Sequence, residues 1–412
     1  MEFPVAASSA VDRMTVRRLR QVMALFMGLL VWTTRPLWTP GGEFPDIPWF
    51  NWGGAIPERL DWLFLMSLSA LLILQLIRLP AGRRWPRVLQ AALLGGSLMF
   101  LPADQHRLQP WVWQMTVGAA VIGISSDERI TMKCLRLFTV SIYFWSAVSK
   151  IDWAFLEGRG QWLLDGLSNS IGLQREQWSD ETRLLLAAAL PVGELAVAAS
   201  LVWPRTRRIG LGMALVMHAL LLMALGPWGH RQLPGVLVWN VYFIVQNMLL
   251  FGRRGRVCEA EGDVELVRSA DPRALLAKLL TGTICLAPAL SPWGYWDHWP
   301  SWAVYSERPA VVQMFVDSAH AARLPATLQP FVGPPEPLTE WRPVNLDAWS
   351  FTTCRCPVYP QLRYRLALIS ILADRCRLTA RIVINGPPNR WTGARVESER
   401  MILSSQTAIN RP

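Results

Sequence analysis

Three ionisable side chains lie in otherwise apolar stretches of this 412-residue sequence: Lys150, Glu194 and His218. A charge at the centre of a membrane helix costs about 2.5–3.5 kcal/mol, so each group needs a partner or a neutral form. Glu194 and His218 fall at the same depth of two apolar stretches that a short arginine-rich loop joins, and we therefore expect them to meet. Such a contact is either a proton-handling pair that faces an internal cavity or a hydrogen-bonded pair that holds two helices together.

Four polar residues, the last of which is Lys150, share one face of a predicted helix. Thr139, Tyr143, Ser146 and Lys150 follow one another at spacings of four, three and four residues, which places them on one side of a helix that is otherwise apolar. Lys150 is either an anchor that reaches the membrane interface or a general base. The scarcity of lysine, which accounts for only three of the 41 basic residues, raises the base interpretation to equal standing, because lysine, unlike arginine, can lose its proton when buried. Both interpretations remain open.

Other polar groups predict structural roles. Asp104, Gln105, His106 and Arg107 form a cluster at a predicted helix end, where capping a loop is the simplest role. Asn240 and Asn247 share a face of one apolar stretch and predict hydrogen bonds between helices. The five histidines are scattered, so the sequence predicts no metal site.

The elements that position these residues are long apolar runs. Several runs approach the ~20 residues that cross a bilayer, and the mean hydropathy is +0.23. The sequence therefore predicts an all-α polytopic membrane helix bundle of about nine spans with a small extracytoplasmic α+β C-terminal segment. The expected divisions are a cytoplasmic N-terminus (1–19), the bundle (20–291) and the C-terminal segment (292–412). The predicted spans are approximately 20–38, 61–79, 86–102, 110–126, 135–152, 184–203, 209–226, 233–251 and 274–291.

The net charge of +11 is distributed by loop rather than collected on one surface. Every second predicted loop is rich in arginine, which is the positive-inside pattern and not that of a nucleic-acid-binding protein. We therefore expect a multi-pass protein of the cell's inner membrane, with its N-terminus in the cytoplasm and its C-terminal segment outside. The basic loops lie around residues 13–20, 78–87, 129–136, 205–208 and 253–273.

Tryptophan and cysteine mark the side predicted to be outside. Many of the 22 tryptophans fall where spans meet these loops, and they predict an interfacial aromatic belt that includes Trp38, Trp111, Trp299 and Trp302. Cys354, Cys356 and Cys376 lie in the C-terminal segment. A structural bridge from Cys376 to one of the other two, free thiols, and a redox-active Cys-x-Cys are all open alternatives.

The polar helix also carries a family resemblance. Ile142 to Asp152, followed by Glu157-Gly158, resembles the signature helix of the vitamin K-dependent γ-carboxylase superfamily and its bacterial relatives, the horizontally transferred transmembrane (HTTM) domain proteins. The resemblance continues through Gly193-Glu194-Leu195, Arg207 with Ile209-Gly210-Leu211, and His218, and it covers about residues 60–252.

This resemblance implies a quinol-dependent, carboxylase-like enzyme whose cofactor is a quinol of the vitamin K or menaquinol type, with no metal. Lys150 would be the base that deprotonates the quinol, and Glu194 and His218 would orient groups or relay protons. His106 would match the histidine that stabilises the deprotonated quinol. The residues expected to bind the quinol are Tyr143, Ser146 and Glu157.

Two other function classes fit the same pattern. The first is a DoxX- or MauE-like accessory membrane protein of a redox system, without catalysis of its own. The second is a transporter, in which intramembrane Glu and His are ordinary relay residues. The sequence shows no inverted repeat and no matched pair of broken helices, which disfavours the transporter. In each case the lipid bilayer is the expected surrounding, and nucleic acid is not an expected partner.

Overall fold

A computed structural model of the chain describes residues 3–50, 58–76, 85–173, 177–252 and 271–402. Most of these residues are helical, and a small antiparallel sheet lies near the C-terminus. The predicted basic loops around residues 78–87 and 253–273 fall largely outside the described ranges.

Helices make up the first two thirds of the described chain. They are α1 (Phe3–Thr33), α2 (Glu58–Leu76), α3 (Trp85–Phe100), α4 (Pro110–Ile124), α5 (Glu128–Val148), α6 (Trp153–Glu157), α7 (Arg159–Ile171), α8 (Asp180–Val202), α9 (Arg207–Leu225), α10 (Pro234–Phe251) and α11 (Pro272–Leu286). A 3₁₀ segment, Ala287–Trp293, continues α11.

A helix lies over each of the nine predicted spans, but fewer are long and apolar enough to cross a bilayer. Within the described ranges four meet that criterion: α8, α9, α10, and α11 with its 3₁₀ continuation, Pro272–Trp293. The apolar parts of α2, α3 and α4 are shorter than 18 residues. The protein is thus a mostly helical, multi-pass membrane protein, and α6 and α7, between the fifth and sixth predicted spans, are additional to the prediction.

Capping residues determine where α5 and α8 begin, and a glycine determines how closely α9 packs against α8. Asp127 starts α5 because its carboxylate accepts from the backbone N–H of Arg129, and the Ser179 hydroxyl caps α8 in the same way. In α9, a Cβ at Gly210 would lie 2.9 Å from the backbone nitrogen of Leu201. Glycine at this position therefore lets α9 pack tightly against the end of α8.

The C-terminal segment combines the sheet with two helices. Its elements are β1 (Val311–Asp317), β2 (Trp341–Val344), α12 (Leu346–Thr353), α13 (Leu362–Cys376), β3 (Ala380–Asn385) and β4 (Glu397–Ile402), with strand order β2-β1-β3-β4 and every pair antiparallel. Alternate residues of β3 are buried, as a strand with one covered face requires. The predictions of a strand at Arg381–Ile384 and of a buried element at Leu366–Ala373 are confirmed, the latter as part of α13.

Two sequence expectations for this region are wrong. Trp302 to Tyr305 does not form a strand, because Trp302 and Tyr305 have positive φ angles of 63° and 57°, which break an extended backbone. The predicted interfacial belt is wrong for Trp38, Trp111, Trp299 and Trp302, since their exposed fractions are 2%, 5%, 6% and 1%. Other members of the predicted belt, Trp49, Trp153 and Trp293, are exposed. Trp38 packs on Phe100 and Trp111, Trp302 packs on Phe138, and Trp299 packs on Tyr359.

One arginine ties the C-terminal segment to the polar helix. The Arg308 guanidinium donates to the backbone oxygens of Val148 and Ser149 at the end of α5, and it pairs with Asp152 at 3.1 Å. The cation thereby satisfies carbonyls that a helix terminus leaves without partners. This contact fixes the turn in which Lys150 lies.

Candidate functional site

Lys150 and Glu194 form an ion pair between α5 and α8. The Lys150 Nζ donates to both Glu194 carboxylate oxygens, at 2.8 and 2.9 Å, and to the Ser146 hydroxyl at 2.6 Å. A longer contact of 3.3 Å reaches the Ser146 carbonyl oxygen. The side chains are only 6% and 13% exposed, so the pair lies largely inside the bundle. Ser146 thus contacts Lys150, as their shared helix face predicted.

The pair joins two helices and satisfies two charges at once. An ammonium with a carboxylate as its counter-ion fits this arrangement of donors and acceptors. The predicted role of Lys150 as a base needs the neutral amine and stays a prediction.

His218 belongs to a hydrogen-bond chain with a defined direction. The Asn247 amide donates to the Tyr143 hydroxyl at 2.6 Å, and that hydroxyl lies 2.9 Å from His218 Nε2. His218 Nδ1 lies 2.9 Å from the Asn240 side-chain oxygen, while the Asn240 amide donates to the Val236 carbonyl. These assignments are consistent with a neutral histidine that carries its proton on Nδ1 and accepts from tyrosine on Nε2. The predicted interhelical roles of Asn240 and Asn247 are confirmed.

The predicted contact between Glu194 and His218 is wrong, because Glu194 pairs with Lys150, in the turn that follows α5, and His218 pairs with Tyr143 of α5. Tyr143 stands two turns earlier than Lys150 on the same face. The Lys150 Nζ reaches back to the Ser146 hydroxyl, so the ion pair lies beside Ser146, three residues after Tyr143 on that face. Equal depth in neighbouring helices therefore gave the correct level in the bundle but the wrong partner.

A second polar chain crosses the bundle, and sequence reasoning missed it. The Trp239 indole N–H donates to Gln114 at 2.7 Å, the Gln114 amide donates to Gln246 at 2.9 Å, and the Gln246 amide donates to the Thr139 hydroxyl at 2.9 Å. Gln114 and Gln246 are amides within apolar helices, so the signal that singled out Glu194 was present for them too.

His106 lies apart from the ion pair, against the C-terminal segment. Its Nε2 is 2.9 Å from the Pro357 carbonyl oxygen and 3.4 Å from the Cys356 sulfur. Burial lowers the pKa of His106 to about 4, so the ring is neutral near pH 7. Its contacts join the loop before α4 to the C-terminal segment, and the expected role beside Lys150 gains no support from them.

Glu157 is the remaining candidate residue, and it lies outside the polar contacts described above. Glu157 is exposed at the end of α6 rather than beside Ser146 or Tyr143. Among the described residues, no group of three or more His, Cys, Asp or Glu side chains is arranged to hold a metal ion.

The three cysteines of the C-terminal segment are free thiols, so the predicted bridge from Cys376 is absent. Burial raises the pKa of Cys354 to about 12 and that of Cys356 well above its ordinary value. Burial therefore favours the protonated thiol over the thiolate, which is the reactive form of cysteine.

The helices that hold both polar contacts are the ones that resemble a known family. Over residues 128–233 the chain matches the family model described as methylamine utilisation protein MauE. The match begins at α5 and ends just before α10, so it includes Lys150, Glu194 and His218. No curated protein and no solved structure matches the chain significantly.

This match corrects the family prediction. The resemblance to the HTTM proteins and the γ-carboxylases is wrong, since the matching family over the same helices is MauE. The carboxylase function that the resemblance implied has no support. The match instead supports the alternative prediction, a redox-associated accessory membrane protein.

Proposed function

We propose that this protein is an accessory membrane protein of a redox system, with a role like that of methylamine utilisation protein MauE. The observation that carries the proposal is the match over residues 128–233. DoxX- or MauE-like accessory function without catalysis was the alternative drawn from the sequence. It requires a stable helix bundle in the membrane rather than an open catalytic pocket.

The contacts within the matched helices agree with such a role. Lys150 and Glu194 satisfy each other, and Tyr143 and His218 lie within one hydrogen-bond chain. Polar groups that are mutually satisfied between membrane helices hold those helices in one arrangement. On this proposal, they maintain the bundle, and a redox partner docks elsewhere on the protein.

The finer membrane arrangement is part of the proposal. Nine spans, an N-terminus in the cytoplasm and a C-terminal segment outside the inner membrane are supported by the alternation of arginine-rich loops. The division at residues 19 and 291 belongs to the same arrangement. Binding of a quinol stays a prediction, with Tyr143, Ser146 and Glu157 as the residues it named.

Complementation tests the proposal directly. A methylamine-utilising bacterium that lacks its own MauE would receive either this whole chain or a chimera in which residues 128–233 replace the matching part of MauE. We expect growth on methylamine to return with the chimera, because the matched helices carry the shared role. The whole chain tests in addition whether the remaining 306 residues allow the same partner to dock.

Protein amount is the necessary control. Both proteins must accumulate in the membrane fraction to the level of native MauE, measured by an epitope tag. No growth with either protein at that level would contradict the proposal. A chimera that carries Arg208→Met, a change at an exposed arginine of α9, should grow like the unmodified chimera.

A further inference from the structure

A cavity of about 560 Å³ lies between the helix bundle and the C-terminal segment. Its helical wall is formed by the beginnings of α4, α7 and α10, and its other wall by residues within 299–311 and 347–365. The volume falls within the range of small-molecule sites. Lys150, Glu194 and His218 are not among the residues that line it, so it is separate from the polar contacts described above.

Aromatic side chains form much of the wall. They are Trp111, Trp162, Trp239, Trp299 and Tyr305. The rings of Trp162 and Tyr305 are stacked, with centroids 5.8 Å apart, and the indole N–H of Trp239 is fixed by its bond to Gln114. Trp162 is also stacked on His230, with centroids 3.9 Å apart, so it supports the ring of Tyr305. The rings of Trp111, Trp239, Trp299 and Tyr305 then offer preformed surfaces for a flat apolar group.

The arginines on the wall differ in their acidic partners. Arg365 pairs with both oxygens of Asp347, at 2.8 and 3.0 Å, and Glu307 is shared between Arg159, at 3.5 Å, and Arg395, at 3.1 Å. Arg355 is exposed, and no acidic partner for it occurs in the part of the chain that the structure describes. The cavity thus presents one free guanidinium at an aromatic wall, which suits a single anionic group.

Unfavourable backbone conformations gather at the same place. Among the described residues six non-glycine positions have positive φ. Tyr305 and Arg355 line the cavity, while Arg231 and Trp302 each adjoin a lining residue. Such conformations cost about 1–3 kcal/mol each, and in folded proteins they concentrate at ligand sites. At Arg355 the φ of 55° places the guanidinium at the cavity at the expense of stability.

We propose that this cavity binds a small amphiphile with a flat aromatic body and one anionic group. The aromatic body packs among the Trp and Tyr rings, and the anion bonds Arg355. The positive ends of three helices, which begin at the same wall, add to the attraction for the anion. The inference does not depend on the MauE-like role, because it rests on a wall formed largely by residues beyond 233.

Photolabelling of the full-length protein in lipid nanodiscs tests the proposal. The anionic probe is para-benzoylbenzoate, and its neutral and cationic counterparts are the para-hydroxymethyl and para-aminomethyl benzophenones. After irradiation and digestion, mass spectrometry measures labelling of the peptides that contain residues 303–311 and 351–360. We expect saturable labelling by the anion, at concentrations about tenfold below those needed for the neutral probe, as one charge-assisted hydrogen bond predicts.

Three variants test whether Arg355 binds the anionic group of the probe. Arg355→Gln should raise the half-saturating concentration of the anionic probe about tenfold and leave the neutral probe unchanged. Arg355→Gly should have the same effect on the anion and also raise the melting temperature, because glycine relieves the positive φ. Arg377→Gln is the matched control, since Arg377 is likewise exposed with a positive φ of 51° but does not line the cavity.

Each opposite result overturns the proposal. Equal affinity for the neutral and anionic probes would assign the cavity to an uncharged ring. A loss of labelling in Arg377→Gln as large as that in Arg355→Gln would assign the effect to general surface charge. Labelling that never saturates, or that avoids both peptides, would show that the cavity takes no such ligand.

Discussion

The ion pair between Lys150 and Glu194 predicts a specific pattern of stability among paired variants. Lys150→Met leaves a carboxylate without its ammonium, and Glu194→Met leaves an ammonium without its carboxylate. Because the side chains are only 6% and 13% exposed, each remaining charge must be held in a largely apolar surrounding. Removal of one partner from a buried pair costs about 3–5 kcal/mol, and slight exposure at Glu194 places our expectation near the lower end.

The double variant shows whether the cost of each single variant comes from the charge that is left without a partner. With Met at both positions no charge remains, and two unbranched apolar side chains of similar length fill the space. Replacement of a buried pair by apolar residues is often neutral or stabilising, so we expect the double variant to be about as stable as the original protein. The two single costs would then fail to add by about 6 kcal/mol or more, which is the coupling energy of a double-mutant cycle.

Unfolding in mixed micelles of increasing SDS content, followed by tryptophan fluorescence, measures these free energies. Arg208→Met removes an exposed charge from α9 and should change stability by no more than about 0.5 kcal/mol. If either single variant were as stable as this control, or if the double variant lost the sum of the single costs, the structural role of the pair would be refuted.

Two further predictions concern the other polar groups. Burial lowers the pKa of His106 to about 4 and raises that of Asp104 to about 6, so between pH 4 and 6 rising pH adds stability through the histidine and removes it through the aspartic acid. Relative to the original protein, the slope of stability against pH in this range should therefore become more negative in His106→Gln and more positive in Asp104→Asn, as melting curves would measure; a change in the same direction in both would contradict the assignment. Tyr143→Phe removes the hydroxyl between Asn247 and His218 and should cost about 1–3 kcal/mol in the SDS assay, because both partners stay buried. Arg208→Met is again the control, and a cost no larger than its own would show that other groups satisfy the two partners.

The helical architecture could be predicted because long apolar runs are a local property of the sequence. The polar face of α5 could also be predicted, since spacings of three and four residues fix which side chains share a side of a helix. The partners of that face could not. Hydropathy gives the depth of Glu194 and His218, but it gives neither the rotation of α8 and α9 nor the reach of the Tyr143 side chain, and these decide which groups meet.

Contacts between the helices and the C-terminal segment were even harder to predict from the sequence. His106 bonds Pro357, which lies 251 positions along the chain, and nothing near either residue indicates the other. Trp111 lines a cavity with residues of the same segment, and Trp38 packs on Trp111, although the position of both at helix ends predicted a membrane interface. Tryptophan at a helix end can face lipid or a covering domain, and composition does not distinguish the two.

The scarcity of lysine pointed to a real constraint at position 150, although the structure offers a cause other than base catalysis. The Lys150 ammonium lies within hydrogen-bond distance of the Ser146 hydroxyl, the Ser146 carbonyl oxygen and both oxygens of Glu194, which surround it from two helices. A compact ammonium can donate in several directions, whereas the donors of a guanidinium lie in one plane. Arginine would therefore pair with Glu194 and lose the bonds to Ser146. In a chain with only three lysines among 41 basic residues, a lysine can thus mark a contact that the geometry of an ammonium satisfies and that of a guanidinium does not.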